Sequence, residues 1–567
     1  MKKRKLCAFL MAIAIMIPLA GCNGGGTADS DTSDESTASQ VSSEASSSSE
    51  AEEEEDSTSD TTDTSADGDT EIWDGPITDF EFMNMSNSWD PIIWGNDPVT
   101  EKMLNITGVN LNCSIPNGDW EQIANVMLAA EDYPELMHMN VNAIYNQYVV
   151  AGALRSIDDL SEEYGYPNFM NGTYIPEDVI KARLSDDGKL YILPNWFSED
   201  GFGSVGTAVN VRTDLFEEYG PENFETMDDF YDYLVKIRDA NLTTSEGVKI
   251  WPLAYSQFDD QYIGYMTNMW GSKISKYNYF NEDTNKVEVM LRSPALVQSL
   301  EFFNKCLQEG LLDPEVLSFE TETVFKEHTT QGKYGAVISE SWSLWDANSL
   351  LGSQDPKTIY KSVPPPQGNP GTQQYLGRIH KTGGSGFFVT KNCPEDKLEA
   401  LMRFLDYRMS DEGQILNFYG VEGNTMEFEN GDHTKPVLYP EAYEAKLADF
   451  DGYARSHGVR VFDMMNNANW NWERTQEAPD RQANRKIATD YAFDGTITAS
   501  LIIDPLTPEG ILLAELEANM RADLTKIIME PDTSKVPQMV ADLLAEYERK
   551  GVESLEAEWT KQYLAKM

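Results

Sequence analysis

The stretch GKYGAVISESWSLW, Gly332 to Trp345, changes character at its midpoint. Tyr334 to Ser339 reads as a strand. A polar step at Glu340-Ser341 breaks it, and Trp342 and Trp345 follow three residues apart. Two indoles in that place either fill a core or stand at a strand's end to hold something. The rest of the chain decides between these readings.

On both sides, helix and strand signals alternate. ITDFEFMNMS (77–86) has partial period-two apolarity and predicts a first strand, and WEQIANVMLAAEDY places Ile123, Met127 and Ala130 on one helical face. Thr226 to Arg238 opens on a capping-box-like Thr226 and Asp229, then sets Phe230, Leu234 and Ile237 in register. Ser293-Pro294 starts a helix carrying Leu296, Leu300, Phe303 and Leu307, with Gly310 as its stop. PEDKLEALMRFLDYRMS repeats the pattern with Leu398, Leu401, Leu405 and Met409. KLYILP (189–194), VGTAVNV (205–211), YGAVIS (334–339) and GFFVT (386–390) are strand candidates. Such alternation predicts α/β sheets with helices packed outside, and roughly 490 residues exceed one core, so two lobes are expected.

The first 74 residues do not read as folded protein. Lys2, Lys3, Arg4 and Lys5 precede LCAFLMAIAIMIPLA, an apolar core suited to a secretory signal and short for a membrane span. Leu19-Ala20-Gly21-Cys22 resembles a bacterial lipobox, which implies removal of residues 1–21 and a lipid on Cys22 that tethers without spanning. Residues 22–74, rich in Ser, Thr, Asp and Glu, bury too little apolar surface to offset chain entropy and predict a disordered stalk reaching roughly 40 Å. The chain carries 43 basic and 95 acidic side chains, and 39 basic against 78 acidic remain from Gly75 onward. That excess excludes nucleic acid as a partner and leaves the lipid as the expected membrane contact. Cys113, Cys306 and Cys393 cannot all pair internally and lack metal-type spacing; Cys306, on an apolar helix face, predicts a buried thiol.

The five histidines are scattered, and phosphate-loop and nucleophile-elbow motifs are absent. HKTGGSGFF precedes a strand, so its glycines predict a hinge or turn and not a phosphate cradle. Adjacent acids such as Asp259-Asp260 are what a glycosidase uses, but 78 body acids place pairs together by chance. Aromatics are the positive signal, with 12 Trp and 26 Tyr, many beside polar residues in loop-like stretches. Flat C–H faces of sugar rings pack on indoles while their hydroxyls seek polar partners. Trp470 and Trp472 share a strand face or lie together in a loop; the spacing fits both.

Several segments in order resemble the extracellular sugar-binding proteins of ABC importers, the maltose-binding-protein-like lipoproteins of Firmicutes. They are NDPVTEKMLNITGVNLN (96–112), MLAAEDYPELMHMN (127–140), LRSIDDLSEEYGYPN (154–168) and SDDGKLYILPN (185–195). VNVRTDLFEEYG (209–220) with ETMDDFYDYLVKI (225–237), and the segment from Cys393 to Phe428, complete the set. The resemblance implies a two-lobed α/β body of the type II periplasmic-binding-protein fold, with crossovers near 200–206, 341–346 and 378–386. It puts 75–203 plus 342–380 in an N-terminal lobe and 204–341 plus 381–567 in a C-terminal lobe. Ligand is expected in a cleft at the carboxyl ends of strands, enclosed by a hinge motion. In similar proteins a tryptophan just after the GKxAM strand stacks on sugar, the position of Trp342, whereas Trp345 falls a turn later and is expected to pack. Trp89 and Trp94 follow the first strand; Trp196 and Trp251 are further candidates, with Asp259, Asp260, Glu340 and Arg378 as hydroxyl partners. Implied too are an oligosaccharide ligand, ABC permease partners, a monomer at the extracellular face, and no catalytic residue, cofactor or metal. Two other readings stay open: a membrane-tethered carbohydrate-active enzyme using a carboxylate pair in the same cleft, and a binder of another solute, such as a peptide, on the same fold. From Asp432 onward the chain has no simple counterpart in smaller members.

Overall fold

The computed structural model describes residues 72–85, 94–202, 206–256, 262–319, 321–459 and 464–567. The signal segment, Cys22, the stalk up to Glu71, Trp89, Asp259 and Asp260 lie outside the described residues. Strands β1 (Thr78–Asn84), β2 (Val109–Ser114), β3 (Leu136–Asn140), β4 (Leu193–Pro194) and β5 (Trp196–Phe197) come first. Next are β6 (Thr207–Arg212), β7 (Trp251–Tyr255), β8 (Asn278–Asn281), β9 (Lys286–Val289) and β10 (Tyr334–Glu340). Strands β11 (Tyr360–Val363), β12 (Arg378–Ile379) and β13 (Ser385–Val389) follow.

Two sheets carry the α/β body. One has the order β2-β1-β3-β13-β4, with β1 parallel to both neighbours and β13 antiparallel to β3 and β4. The other has the order β11-β6-β10-β7, in which β7 runs parallel to β10 and β6 runs against β10 and β11. Helices flank them where the sequence patterns place them. Thr226 and Asp229 form a full capping box on helix Met227–Ala240, which buries Phe230, Leu234 and Ile237. Helix Pro294–Gln308 buries Leu296, Leu300, Phe303 and the free thiol of Cys306, whose pKa burial pushes up. Helix Leu398–Met409 buries Leu398, Leu401, Leu405 and Met409.

The lobes divide the chain differently from the expected boundaries. Leu344, Tyr360 and Leu376 pack into the C-terminal core, because β10 runs through a short helix into β11 of its own sheet. Residues 341–346 are therefore no crossover, and 342–380 belongs mainly to the second lobe. Conversely, Phe387, Phe388 and helix Leu398–Met409 build the N-terminal core, because β13 enters the first sheet between β3 and β4. Gly386 permits that entry: a Cβ there would lie 2.5 Å from the Leu193 carbonyl oxygen. The chain returns to the second lobe beyond residue 476, contributing Ile503 through Trp559 to its core. Trp73, assigned to the stalk by composition, is packed. Its backbone N–H donates to the Asn105 carbonyl (2.9 Å), and the Arg403 guanidinium lies 3.6 Å from its ring. The ring lies against Gly108, at φ 66°, where a Cβ would meet the indole at 2.1 Å.

The crossings are bound to one another. β5 pairs with Asn466–Asn467, and β12 with Phe493–Asp494. Two guanidiniums approach the Phe202 ring, Arg474 at 4.1 Å and Arg485 at 4.5 Å. Arg474 grips Asp200 with two bonds of 3.0 and 2.8 Å. Arg485 is buried and bonds Glu473 (2.9 Å) and Glu477 (3.0 Å). Burial raises the Glu477 carboxyl while Arg485 pulls it down. Removing one partner of a buried pair strands the other charge, so Arg485→Met should cost about 3–5 kcal/mol in denaturant unfolding. An unchanged midpoint would show that the pair carries no net stability.

Candidate functional site

Open α/β sheets place ligands at the carboxyl ends of their strands, so those ends define the candidate site. In the second lobe β10 ends at half-buried Glu340, whose carbonyl accepts from Ser343 Oγ (2.7 Å). That bond tightens the chain into the 3-10 segment Ser341–Leu344. Ser341, Ser343 and Leu344 turn inward and leave Trp342 half-buried. The Lys326 ammonium stands 5.9 Å from the Trp342 ring, at the limit of a cation–π contact, and is paired to Glu322 at 3.0 Å. Trp345 is also half-buried, but the Arg481 guanidinium covers its ring at 4.5 Å.

In the first lobe, buried His138 joins three strands. Nδ1 meets Asn84 Oδ1 (2.9 Å) at the end of β1, and Nε2 meets Ser385 Oγ (3.1 Å) at the start of β13. Sequence reasoning passed over His138 because its partners stand 54 and 247 positions away, with no local signature.

The crossings bring four more side chains together. Half-buried Trp196 leans on His380, with ring centroids 5.2 Å apart at 30°. Burial, with Arg378 and Arg183 nearby, pushes the His380 imidazole down to about 3, so it is neutral at ordinary pH. Arg378 bonds Ser275 Oγ, and Arg183 is buried and donates to Thr382 Oγ1 (3.2 Å) and to the Gly383 carbonyl. The glycine-rich stretch 380–386 is thus part of a crossing.

Two expected contacts lie elsewhere. Trp94 is a core residue, 7% exposed, with Nε1 bonded to the Val109 carbonyl (3.0 Å) and its ring edge-on to Phe404. It follows the first strand in sequence, but the turn carries it under helix Leu398–Met409. Trp251 opens β7 opposite Tyr334, at the amino end of parallel strands and so away from Glu340, with Lys249 3.2 Å from its ring. Trp470 donates to Asp411 (3.1 Å), and Trp472 is buried against Tyr443 in a small third core.

One group among the described residues has metal-ligand spacing: Asp313, Glu315 and His328. Lys333 fills its centre, with Nζ 3.1 Å from Asp313, 2.5 Å from Glu315 and 3.3 Å from His328. Burial and the Lys333 charge lower the His328 pKa. An ammonium already does there what a bound cation would do. Lys333→Met leaves Asp313 buried without its ammonium partner, and should lower stability by about 3–5 kcal/mol on denaturant titration; an unchanged midpoint would mean that the pair carries no net stability.

The end of β10 thus offers an indole and a carboxylate, and the crossings a second indole and guanidiniums, groups that stack and hydrogen-bond. A profile of the family described as "Bacterial extracellular solute-binding protein" matches residues 99–423. The chain is 19% identical over 358 residues to the "Fructooligosaccharide ABC transporter substrate-binding protein FusA" of Streptococcus pneumoniae, an alignment covering 61% of this chain and 64% of that one. It therefore spans just under two thirds of that relative's length. It is 20% identical over 355 residues to "Lipoprotein LipO" of Bacillus subtilis, covering 60% and 68%. A solved "HMO binding ABC-transporter associated Solute Binding Protein" of Bifidobacterium longum infantis superposes with a TM-score of 0.66 at 15% identity, over 87% of this chain and 99% of that one, a likeness of fold. With more than half its length matched, the chain belongs to the bacterial extracellular solute-binding proteins, a family of binding proteins and not of enzymes.

Proposed function

We propose that this protein, anchored by lipid at Cys22 to the extracellular face of the cell membrane, captures an oligosaccharide between its two lobes and delivers it to the permease subunits of an ABC importer. It acts as a monomer. The observation that carries the reading is Trp342, a half-buried indole just past the carboxyl end of β10, next to Glu340. Support comes from polar atoms at the strand ends and first crossing. Asn195 Oδ1, Ser198 Oγ and Ser256 Oγ are buried and lack a hydrogen-bond partner among the described residues. Such atoms cost free energy until something bonds them, and a sugar hydroxyl both donates and accepts. The relatives add support by name, one as a fructooligosaccharide-binding protein and one as a lipoprotein. No helix among the described residues is long and apolar enough to cross a membrane.

Mechanism is differential affinity: ligand binds the closed arrangement better and shifts the balance toward it. The crossings that hold β5 and β12, and the chain near 476, carry the motion. Trp196 and Arg378, at these crossings, supply secondary contacts, and so do Trp89, Asp259 and Asp260.

The test is a thermal shift of the purified chain across neutral and acidic oligosaccharides and peptides, with chromatography of the incubated sugars. A ligand at a hundred times its Kd should add about 2.7 kcal/mol. Trp342→Ala should remove most of that shift while the ligand-free melt stays near the parent's. A shift with peptides alone, or cleavage of a sugar, would overturn the proposal.

A further inference from the structure

A cavity of about 610 Å³ opens on the C-terminal lobe, between the loop 367–375, the β8–β9 hairpin and the first turn of helix Pro294–Gln308. Its lining shares no residue with the strand-end site around Glu340 and Trp342. Its size falls within the range of about 300–1,000 Å³ usual for small-molecule pockets.

The floor is rigid. Asn369 Nδ2 donates to the Trp270 carbonyl (2.9 Å), and Gly271 follows in the left-handed region at φ 89°. Gly368 lies so close to the Trp270 indole that a Cβ would come within 2.5 Å of it. Above this floor stand two half-buried aromatic rings, Phe280 and Tyr375. Phe280 is held by stacking on Tyr563, centroids 4.5 Å apart at 16°, and Tyr375 by an edge contact with Phe493 at 5.9 Å. Gln298 and Asn369 exchange two amide bonds of 3.0 and 2.9 Å, which fixes both carboxamides at the cavity wall.

Charge narrows the ligand class. Lys273 is bonded to Glu282 (2.8 Å), and Arg292 to Glu548 (2.8 Å) and Glu556 (2.7 Å). The cations of the pocket are thus compensated by the protein, and Asp283 lies exposed at the hairpin tip. An anionic ligand would find no uncompensated cation there and would face the carboxylates of Glu282 and Asp283. A neutral ligand with an apolar ring face and many hydroxyls needs no counter-charge: it stacks on an aromatic and donates to the second lone pairs that the Gln298 and Asn369 amide oxygens keep beside their mutual bonds.

We infer that this cavity is a second binding site, for a neutral saccharide, built on Tyr375, Phe280, Gln298 and Asn369. The choice of saccharide probes rests on the function proposed above; the class itself follows from the pocket's own lining. A protein with two such sites engages a long chain at two points, and each added contact raises its avidity.

The test is isothermal titration of the purified chain with fructo-oligosaccharides, maltohexaose and a uronate hexasaccharide, repeated on Trp342→Ala, Tyr375→Ala, Tyr375→Phe and Gln298→Ala. The parent should bind a neutral sugar at two sites. Tyr375→Ala and Gln298→Ala should weaken one of them roughly tenfold or more while the other stays. Tyr375→Phe, which keeps the ring, should retain both, and Trp342→Ala should remove the other. A single site, lost in Trp342→Ala and unchanged in Tyr375→Ala, overturns the second pocket and leaves the proposed function standing. A single site with the opposite response supports the pocket and overturns the cleft reading. Binding of the uronate alone at the Tyr375 site overturns the neutral class, and no binding of any sugar overturns both proposals.

Discussion

Strand β13 reaches its place between β3 and β4 only after the chain has laid down both sheets' other strands. A strand inside a sheet must have its N–H and C=O groups paired on both sides, so the first sheet cannot be completed until residues 385–389 come back to it. That requirement forces a second crossing between lobes. The need to finish the other core with Ile503 to Trp559 forces a third. The division of the chain into lobes, the close approach at Gly386 and the bundling of three crossings all follow from it.

The crossing region is held differently from the lobes. β1 and β2 share six residue pairs, whereas β5 and β12 each share two with their partners. Charged and aromatic contacts stand in for missing ladder bonds: Phe202 with Arg474 and Arg485, Arg485 with Glu473 and Glu477, and Arg183 on the 382–383 carbonyls. Segments with few backbone bonds open at lower cost than core strands. In a body carrying 78 acids against 39 bases, committing scarce arginines to the crossings also keeps acids there compensated.

Most helices and the longer strands were legible in the sequence because their signals are local. The capping box at Thr226 and the apolar stripes of 294–308 and 398–409 each depend on residues within one or two turns. Strand 189–194 shrank to Leu193–Pro194, since pairing and not propensity sets where a ladder begins. The tryptophans divided for the same reason. Trp342 and Trp345 are marked by the strand they follow, while Trp94 and Trp251 take their environments from helix Leu398–Met409 and from the direction of β7. His138, linking β1, β3 and β13, had no local mark.

By itself the sequence determined the α/β class, the helices, the placing of β10 ahead of Trp342 and the family, because periodicity, caps and ordered motifs are properties of short segments. Only the tertiary structure decided which lobe owns 342–380 and 381–476, where the third crossing lies, which indoles are core, and how Lys333 satisfies Asp313 and Glu315. Those outcomes rest on pairings between residues tens to hundreds of positions apart. The energy of such a contact depends on what arrives opposite a residue, and not on its neighbours in the chain.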